Sequence, residues 1–256
     1  MIDSLGIIGT GHLSEFVCEG LRESGWTHEL VVSPHNRAQA EFFHRRFGAS
    51  IAETHQQLVN RTKAVFVAVR PAQIKQALSD IIWPVHQTLI SAAAGVKISD
   101  LKGFATDTNV VRVMPISAAA LMASPTAMFP NHPQVAELLA QVGSVIPLES
   151  ELEFDAATAN AAAYGWYFAL MDEIMQANVR AGLSPVSAKR ISVETLAAAA
   201  KVSLASTIDS EAILERLATP GGITTQGLEI LKQQQAIKCW STAFDAVVQR
   251  LTVSQE

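Results

Sequence analysis

The sequence predicts an α/β protein in which an N-terminal, Rossmann-like, doubly wound sheet is followed by an all-helical C-terminal dimerisation domain. Three observations support this prediction. Short apolar segments alternate with helical patterns, a glycine turn joins the first strand to the first helix, and strand patterns disappear beyond the acidic residues 149–153. We therefore expect two domains, residues 1–150 and residues 151–256.

The N-terminal half alternates strand and helix patterns. Residues 64–69 form a continuous apolar run, which is typical of a strand buried on both faces of a parallel sheet. Helical patterns lie between the strand patterns, at residues 13–21, 38–47 and 73–82. This alternation predicts a doubly wound sheet. The predicted strands are residues 5–8, 30–33, 64–69, 88–91, 109–114, 127–129 and 145–148.

The C-terminal region is predicted to be helical throughout, at residues 155–181, 185–206, 211–217 and 225–253. The first helix ends at Gly182, and the second is rich in alanine. Alanine-rich faces allow helices to approach closely and suit packing against a second copy of the same domain. We expect a homodimer built through these helices and leave a larger assembly open.

Composition restricts the compartment and the partners. Hydrophobic residues at 49% allow a sizeable core, and the formal net charge of −5 argues against nucleic acid as the main partner. The sequence shows no secretion signal and no apolar stretch of membrane-spanning length, so we expect a cytoplasmic protein without a membrane partner. Cys18 and Cys239 are interpreted as buried thiols, and no residue spacing suggests a metal site.

The turn after the first strand has the order of residues that a dinucleotide pyrophosphate requires. Gly9 permits a turn that a side chain would block, and Gly11 lets the backbone approach the phosphates. The helix that follows directs free N–H groups and the positive end of its dipole at them. His12 and Leu13 belong to the predicted cofactor site, and Ser14 occupies the third position, where Gly or Ala is usual.

The end of the second strand favours NADPH over NADH. An NAD-specific site places Asp or Glu there to bind the ribose 2′-hydroxyl, and residues 30–40 contain no acid. Ser33, Asn36 and Arg37 offer a hydroxyl, an amide and a guanidinium, which together can bind a 2′-phosphate. In the alternative interpretation, Arg37 is a solvated residue in the first turn of a helix.

The ends of the next three strands complete the predicted cofactor site. In an open parallel sheet the ligand crevice lies outside the carboxyl ends of the strands, so these segments should border the nicotinamide half. The small residues among them leave room for a nicotinamide ring. The residues are Val69, Arg70, Pro71, Ala93, Ala94, Met114 and Pro115.

A second glycine-rich loop lies in the helical region. Gly221 and Gly222 are followed by Ile223, Thr224 and Thr225 at a helix start, where free backbone N–H groups can bind a carboxylate. In the alternative interpretation, one of the two threonines is an N-cap and the glycines only make the bend. The residues alone leave both interpretations open.

The chain resembles the pyrroline-5-carboxylate reductase family, in motifs distributed over most of its length. The resemblance implies a dinucleotide domain, a helical domain that interlocks two subunits, and reduction of the cyclic imine 1-pyrroline-5-carboxylate to proline with NAD(P)H. It also implies that Thr224 lies near the substrate imine and that the loop amides bind the substrate carboxylate. The matching motifs are residues 6–11, 68–71, 91–96, 111–115, 181–183, 220–224 and 227–228.

Departures from the family pattern keep three functions open. His12 and Ile116 stand where the family has asparagine, and residues 160–166 lack the glycines and proline of the family's long helix. The chain is then a proline-forming reductase, a related NADPH-dependent reductase of another imine or ketone, or a non-catalytic dinucleotide-binding dimer. Oxidation of proline or its thio analogue separates the first from the others, and NADPH binding without turnover favours the third.

Overall fold

A computed structural model describes residues 1–252 and divides the chain into two compact units. Unit 1 contains residues 1–161 and the residues from Val248 onward, and unit 2 contains residues 162–247. The predicted helix end at Val253 and the last residues of the predicted domain 151–256 lie outside the described part of the chain. We describe the two units separately.

Unit 1 is built on one sheet of eight strands. The strands are β1 (Ser4–Ile8), β2 (Glu29–Val32), β3 (Ser50–Ile51), β4 (Ala64–Val67), β5 (Thr88–Ser91), β6 (Asn109–Met114), β7 (Thr126–Phe129) and β8 (Val145–Pro147). Their order in the sheet is β3-β2-β1-β4-β5-β6-β7-β8. All neighbouring pairs are parallel except β6 and β7, which are antiparallel.

The described residues form eleven α-helices. Those that lie wholly in unit 1 are α1 (His12–Glu23), α2 (Arg37–Phe47), α3 (His55–Arg61), α4 (Ile74–Leu78), α5 (Ile98–Phe104) and α6 (Pro133–Leu139). The others are α7 (Glu151–Arg180), α8 (Pro185–Ala205), α9 (Ser210–Leu217), α10 (Ile223–Gln233) and α11 (Ala236–Thr252). The boundary between the units falls within α7 and again within α11.

The predicted fold class is confirmed, and several details differ. The sequence patterns do not predict β3, α3, α5 or α6, and α7 begins at Glu151 rather than at the predicted residue 155. The single helix predicted at residues 225–253 is two helices, α10 and α11. They are separated at Gln234 and at Gln235, whose φ of 54° is left-handed and ends the helical path.

The central strands of unit 1 are buried on both faces. Successive residues of a strand point to opposite faces of a sheet. Accordingly, Val65 packs in one hydrophobic cluster and Phe66 in the other, and Val31 and Val32 are divided in the same way. The sheet is therefore the middle layer of a three-layer unit, as the apolar run at residues 64–69 predicts.

Helix α1 approaches the segment after β6 very closely. Ser117–Leu121 forms a 3-10 turn, and a Cβ atom added to Gly20 of α1 would lie 1.9 Å from the carbonyl oxygen of Ala119. Only glycine fits at this crossing without movement of the backbone. The contact fixes the path of the chain immediately after the end of β6.

The two cysteines lie in different environments. Cys18 is buried, and desolvation raises the pKa of its thiol to about 12. Cys239 is exposed in the described chain, so its interpretation as a buried thiol is wrong. The helical pattern had placed it among apolar neighbours, but these neighbours lie on a surface. None of the described helices is both long and apolar enough to cross a membrane.

Unit 2 is helical and leaves many large apolar side chains exposed. The exposed fractions reach 79% for Val186, 89% for Leu204 and 89% for Ile223. Its aromatic residues meet one another at the surface, where Tyr167 stacks on Trp240 with 6.0 Å between ring centroids. An apolar surface of this extent is typical of a protein–protein contact.

Candidate functional site

The glycine turn between β1 and α1 has the geometry that the sequence predicts. Gly9 has a φ of +98°, and an added Cβ would lie 2.6 Å from the carbonyl oxygen of Ala68. Gly11 is the N-cap of α1, and no side chain caps this helix. An added Cβ at Gly11 would meet nothing within 4 Å, which leaves open space in front of the helix N-terminus.

Ser14 holds this turn through its side chain. It is fully buried, and its hydroxyl donates a hydrogen bond of 2.6 Å to the carbonyl oxygen of Gly9. Serine at the third position of the motif is therefore compatible with close packing of α1 on the sheet. It also ties the first turn of the helix to the residue at which the chain turns.

A cavity of about 510 Å³ opens at the carboxyl ends of β1, β2 and β4. It is lined by six of the predicted cofactor residues: Gly9, Gly11, Ser33, Asn36, Val69 and Arg70. The remaining lining residues were not among those predicted to bind the cofactor: Ile8, Thr10, His35, His55, Ala68, Gln73, Gln76 and Ala77. The lining contains histidine and arginine side chains and no carboxylate.

His55 enters the cavity wall from the start of α3, an element that the sequence analysis did not predict. Its Nδ1 donates to the carbonyl oxygen of Ala77 at 3.1 Å. Burial lowers the pKa of His55, the hydrogen bond to Ala77 opposes that shift, and the charge of His35 lowers the pKa further. The neutral ring is therefore favoured at neutral pH. The feature of the sequence that could have indicated the start of α3 is Thr54, the N-cap, whose side chain accepts from the N–H of Gln57.

Arg37 does not line the cavity. It is the first residue of α2, and its Nε donates to Glu41 at 2.8 Å across one exposed helical turn. This hydrogen bond from Arg37 lowers the pKa of the Glu41 carboxyl. Its neighbour Asn36 caps α2 by accepting from the N–H of Gln39 at 3.2 Å. Arg70 lines the cavity, and no carboxylate of the described chain lies within ion-pair distance of its guanidinium.

The other predicted cofactor residues do not line the cavity. His12 and Leu13 form the start of α1, and Pro71 begins a short 3-10 turn after β4. Ala93 and Ala94 follow β5, and Met114 and Pro115 lie at the end of β6. Met114 packs in a small apolar cluster with Phe154 of α7, against which Ala94 also packs.

Four charged side chains from β6, α7 and the loop between β5 and α5 form what we call the ion cluster: Lys97, Arg112, Glu151 and Asp155. Arg112 of β6 donates to Glu151 at 2.7 Å and to Asp155 at 2.9 Å, and Lys97 also donates to Asp155. The side chains of Arg112 and Asp155 are each only 1% exposed. The signal for this cluster was an arginine within the otherwise apolar strand at residues 110–114.

The second glycine loop lies in unit 2, before α10. Gly222 is the N-cap of α10 without a side-chain cap, so neither Thr224 nor Thr225 is the N-cap. Thr225 donates to the carbonyl oxygen of Thr219 at 2.7 Å, which closes the loop. Gly221 has a φ of +72°. Thr224 is exposed in the first turn of the helix, where it makes none of the loop's closing hydrogen bonds.

No group of three or more His, Cys, Asp and Glu side chains in the described part of the chain could hold a metal ion. A cavity at the carboxyl ends of parallel strands, bordered by a glycine turn and an uncapped helix, defines a dinucleotide-binding protein. The protein therefore joins a dinucleotide-binding unit to a helical unit that exposes an apolar surface.

Comparisons with known proteins give the particular family. A family model described as pyrroline-5-carboxylate reductase dimerisation matches residues 151–253, and one described as NADP oxidoreductase, coenzyme F420-dependent, matches residues 4–95. The pyrroline-5-carboxylate reductase of Pseudomonas aeruginosa is 26% identical over 260 residues, covering 96% of this chain and 92% of the relative.

Solved structures agree with these matches. The 1-pyrroline-5-carboxylate reductase of Streptococcus pyogenes has a TM-score of 0.87 and 25% identity, covering 97% of each chain. The Plasmodium falciparum pyrroline carboxylate reductase, solved with NADP bound, shares the fold with a TM-score of 0.83 and 18% identity, covering 97% of this chain and 96% of that one. Together, the family models, the relatives and the solved structures indicate a member of the pyrroline-5-carboxylate reductase family.

Proposed function

We propose that this protein reduces a cyclic imine carboxylate with NADPH, and that its reaction is the conversion of 1-pyrroline-5-carboxylate to L-proline. The observation that carries the proposal is the similarity of the whole chain to pyrroline-5-carboxylate reductases, which spans 96% of its length. The open cavity at Gly9 and Gly11 supports the part of the proposal that assigns a dinucleotide cofactor to this protein. The loop at Gly221–Thr225 would bind the imine carboxylate.

The residues of the cavity fit a nicotinamide dinucleotide. The left-handed turn at Gly9 and the open space at Gly11 would admit a pyrophosphate against the start of α1, at His12 and Leu13. When bound, the reduced nicotinamide supplies the hydride. The segments at residues 69–71, 93–94 and 114–115 would border its ring. Because hydride transfer depends mainly on placement, these segments act by orienting the two reactants.

NADPH is proposed over NADH because the lining of the cavity has no carboxylate to accept a hydrogen bond from a ribose 2′-hydroxyl. Ser33 and Asn36 line the cavity at the end of β2 and would bind a 2′-phosphate. Asn36 still has its amide N–H₂ group to donate, since its oxygen caps α2. Arg37 and Arg70 are the two candidates for the cation.

Replacing Arg37 by alanine is expected to raise the KM for NADPH about tenfold or more and to leave the KM for NADH nearly unchanged, because a charge-assisted hydrogen bond contributes about 1.5–3 kcal/mol. Initial rates with both cofactors provide the measurement. Arg70→Ala is the matched comparison, since Arg70 faces the cavity without a carboxylate partner in the described chain. Equal changes for both cofactors in Arg37→Ala would remove Arg37 from the site, and a selective loss only in Arg70→Ala would assign the cation to Arg70.

The Thr224 hydroxyl is proposed as the catalytic group that orients or relays the proton to the imine nitrogen. Its position in the first turn of α10, outside the loop's internal hydrogen bonds, leaves the hydroxyl available. Thr224→Ala is expected to lower kcat about tenfold to a hundredfold while the Kd for NADPH stays within about twofold. Single-turnover rates and NADPH titrations measure the two quantities. Thr225→Ala is a control for the loop, and unchanged turnover in Thr224→Ala would contradict the role.

The helical region, residues 151–256, is proposed to build a homodimer that serves the N-terminal cofactor domain, residues 1–150. Exposed apolar side chains throughout unit 2 support this arrangement, because a second copy would cover them. Light scattering of the purified protein tests it, and a monomer mass at micromolar concentration would contradict it. A cytoplasmic location, without nucleic acid or membrane partners, completes the proposal.

The decisive assay supplies 1-pyrroline-5-carboxylate and NADPH and measures consumption of NADPH and formation of proline. A second candidate function, reduction of another imine or ketone, is favoured by Ile116, whose half-buried apolar side chain follows the end of β6. A panel of larger cyclic imines and ketones in the same assay compares the two candidates. NADPH binding without turnover of any compound would indicate a non-catalytic dimer.

A further inference from the structure

The ion cluster joins three separate segments of unit 1 at one point. Arg112 belongs to β6, Glu151 and Asp155 to the first turns of α7, and Lys97 to the loop between β5 and α5. The same Glu151 oxygen that accepts from Arg112 also accepts from the backbone N–H of Ile98 at 2.8 Å. Both the side chain and the backbone at the start of α5 are thereby fixed to α7.

We propose that the ion cluster is a positioning device for the nicotinamide half of the cofactor. Its members would not touch the cofactor. They would instead hold the loop after β5 and the end of β6 in the arrangement that borders the ring. The inference rests on the proposed function, since that function places the nicotinamide against Ala93, Ala94, Met114 and Pro115.

The loop after β5 is closed locally and then fixed by the cluster. The N–H of Ala93 donates to the hydroxyl of Ser91 at 3.3 Å, and the N–H of Val96 donates back to the carbonyl of Ala93 at 3.4 Å. These bonds are long, and Gly95 within the turn has a φ of +74°. The ion pair of Lys97 and the backbone bond of Ile98 lie directly after this turn. The attachment to α7 thus adds to the local bonds that hold the loop in position.

The end of β6 is held through an aromatic side chain. The guanidinium carbon of Arg112 lies 4.4 Å from the centroid of the Phe154 ring, one residue before Asp155. Phe154 is 1% exposed and packs with Met114, and Ala94 packs against the same cluster. The stacked guanidinium therefore fixes the ring that supports both segments of the predicted nicotinamide border.

Burial explains why a change in this cluster should be felt at the site. The Arg112 and Asp155 side chains are each 1% exposed, so neither charge can be compensated by water. Apolar residues of similar volume can often replace a buried ion pair without loss of stability, although they lack its directional bonds. Exchanging both charges together therefore separates positioning from folding.

The test compares two ligands on the double variant Arg112→Met with Asp155→Leu. NADPH reports on the whole dinucleotide site, and 2′,5′-ADP reports on the adenosine half alone. We expect the Kd for NADPH to rise about tenfold and the Kd for 2′,5′-ADP to stay within about twofold, together with a lower kcat. The matched control is Arg46→Met with Glu19→Leu, which exchanges an exposed ion pair of unit 1 and should change neither Kd.

The inference would be overturned if the double variant bound both ligands as tightly as the unaltered protein does. It would also be overturned if the variant lost the same affinity for NADPH as for 2′,5′-ADP. If the double variant does not fold, Glu151→Gln at the partly exposed edge of the cluster decides in the same assay, with the same selective loss of NADPH affinity expected. Absence of imine turnover in the unaltered protein, with the selective loss intact, would overturn the proposed function alone. Failure of the unaltered protein to bind either ligand would overturn both.

Discussion

Alanine at position 9 is expected to abolish dinucleotide binding. The φ of +98° at Gly9 is a conformation that residues with a side chain rarely adopt, and the added Cβ would lie 2.6 Å from the carbonyl oxygen of Ala68. The turn must move away from β4 to relieve this contact, which displaces the start of α1. We expect at least a hundredfold rise in the Kd for NADPH, corresponding to about 3 kcal/mol.

Titration of NADPH by fluorescence or calorimetry measures this effect, with the melting temperature recorded in parallel. Gly25→Ala is the matched control. Gly25 has a similarly left-handed φ of +86°, but an added Cβ there would meet nothing within 4 Å, and it does not line the cavity. Gly25→Ala should lower stability by about 1–2 kcal/mol and leave NADPH affinity unchanged. Normal NADPH affinity in Gly9→Ala would show that the turn does not hold the cofactor.

Gly20→Ala is expected to cause a large loss of stability in unit 1. The added Cβ would lie 1.9 Å from the carbonyl oxygen of Ala119, and a backbone atom cannot yield as the end of a flexible side chain can. The 3-10 turn must therefore separate from α1. Overpacking of a well-packed contact destabilises by about 1–3 kcal/mol, and we expect the upper end of this range or beyond it.

Urea denaturation, followed by circular dichroism, measures the free energy of unfolding for this comparison. Gly103→Ala is the matched control because it makes the same substitution in helix α5, where an added Cβ would meet nothing within 4 Å. It should stabilise the protein by about 0.5–1 kcal/mol through the better helix propensity of alanine. Two variants with similar midpoints would show that the crossing at Ala119 can relax at little cost.

The glycine turn of the proposed cofactor site could be predicted from sequence because its geometry is local. Gly9 and Gly11 lie two residues apart between a strand and a helix, and the strand ends that meet them follow from the parallel order of the sheet. His55 could not be found in this way. It reaches the cavity from a helix whose seven residues, His55–Arg61, are too few for a periodic apolar pattern to be recognised.

The ion cluster shows a different limit of sequence analysis. Arg112 within an apolar strand indicates a buried partner, but nothing near it in sequence identifies that partner. Glu151 belongs to the acidic residues 149–153 and Asp155 begins the predicted long helix. Only the packing of α7 brings both of them to β6. Similarly, a pattern of apolar residues predicts the strand at residues 127–129 but gives no indication that it runs antiparallel to its neighbour.

The bond between Ser14 and Gly9 has a consequence for the thermodynamics of binding. Because the hydroxyl is engaged within the turn, it already ties Gly9 to the first turn of α1 in the ligand-free protein. Little conformational entropy remains to be lost when a dinucleotide arrives, so association should be fast and its heat should come from new contacts alone. Loss of this hydroxyl in Ser14→Ala would transfer the ordering of the loop to the ligand itself.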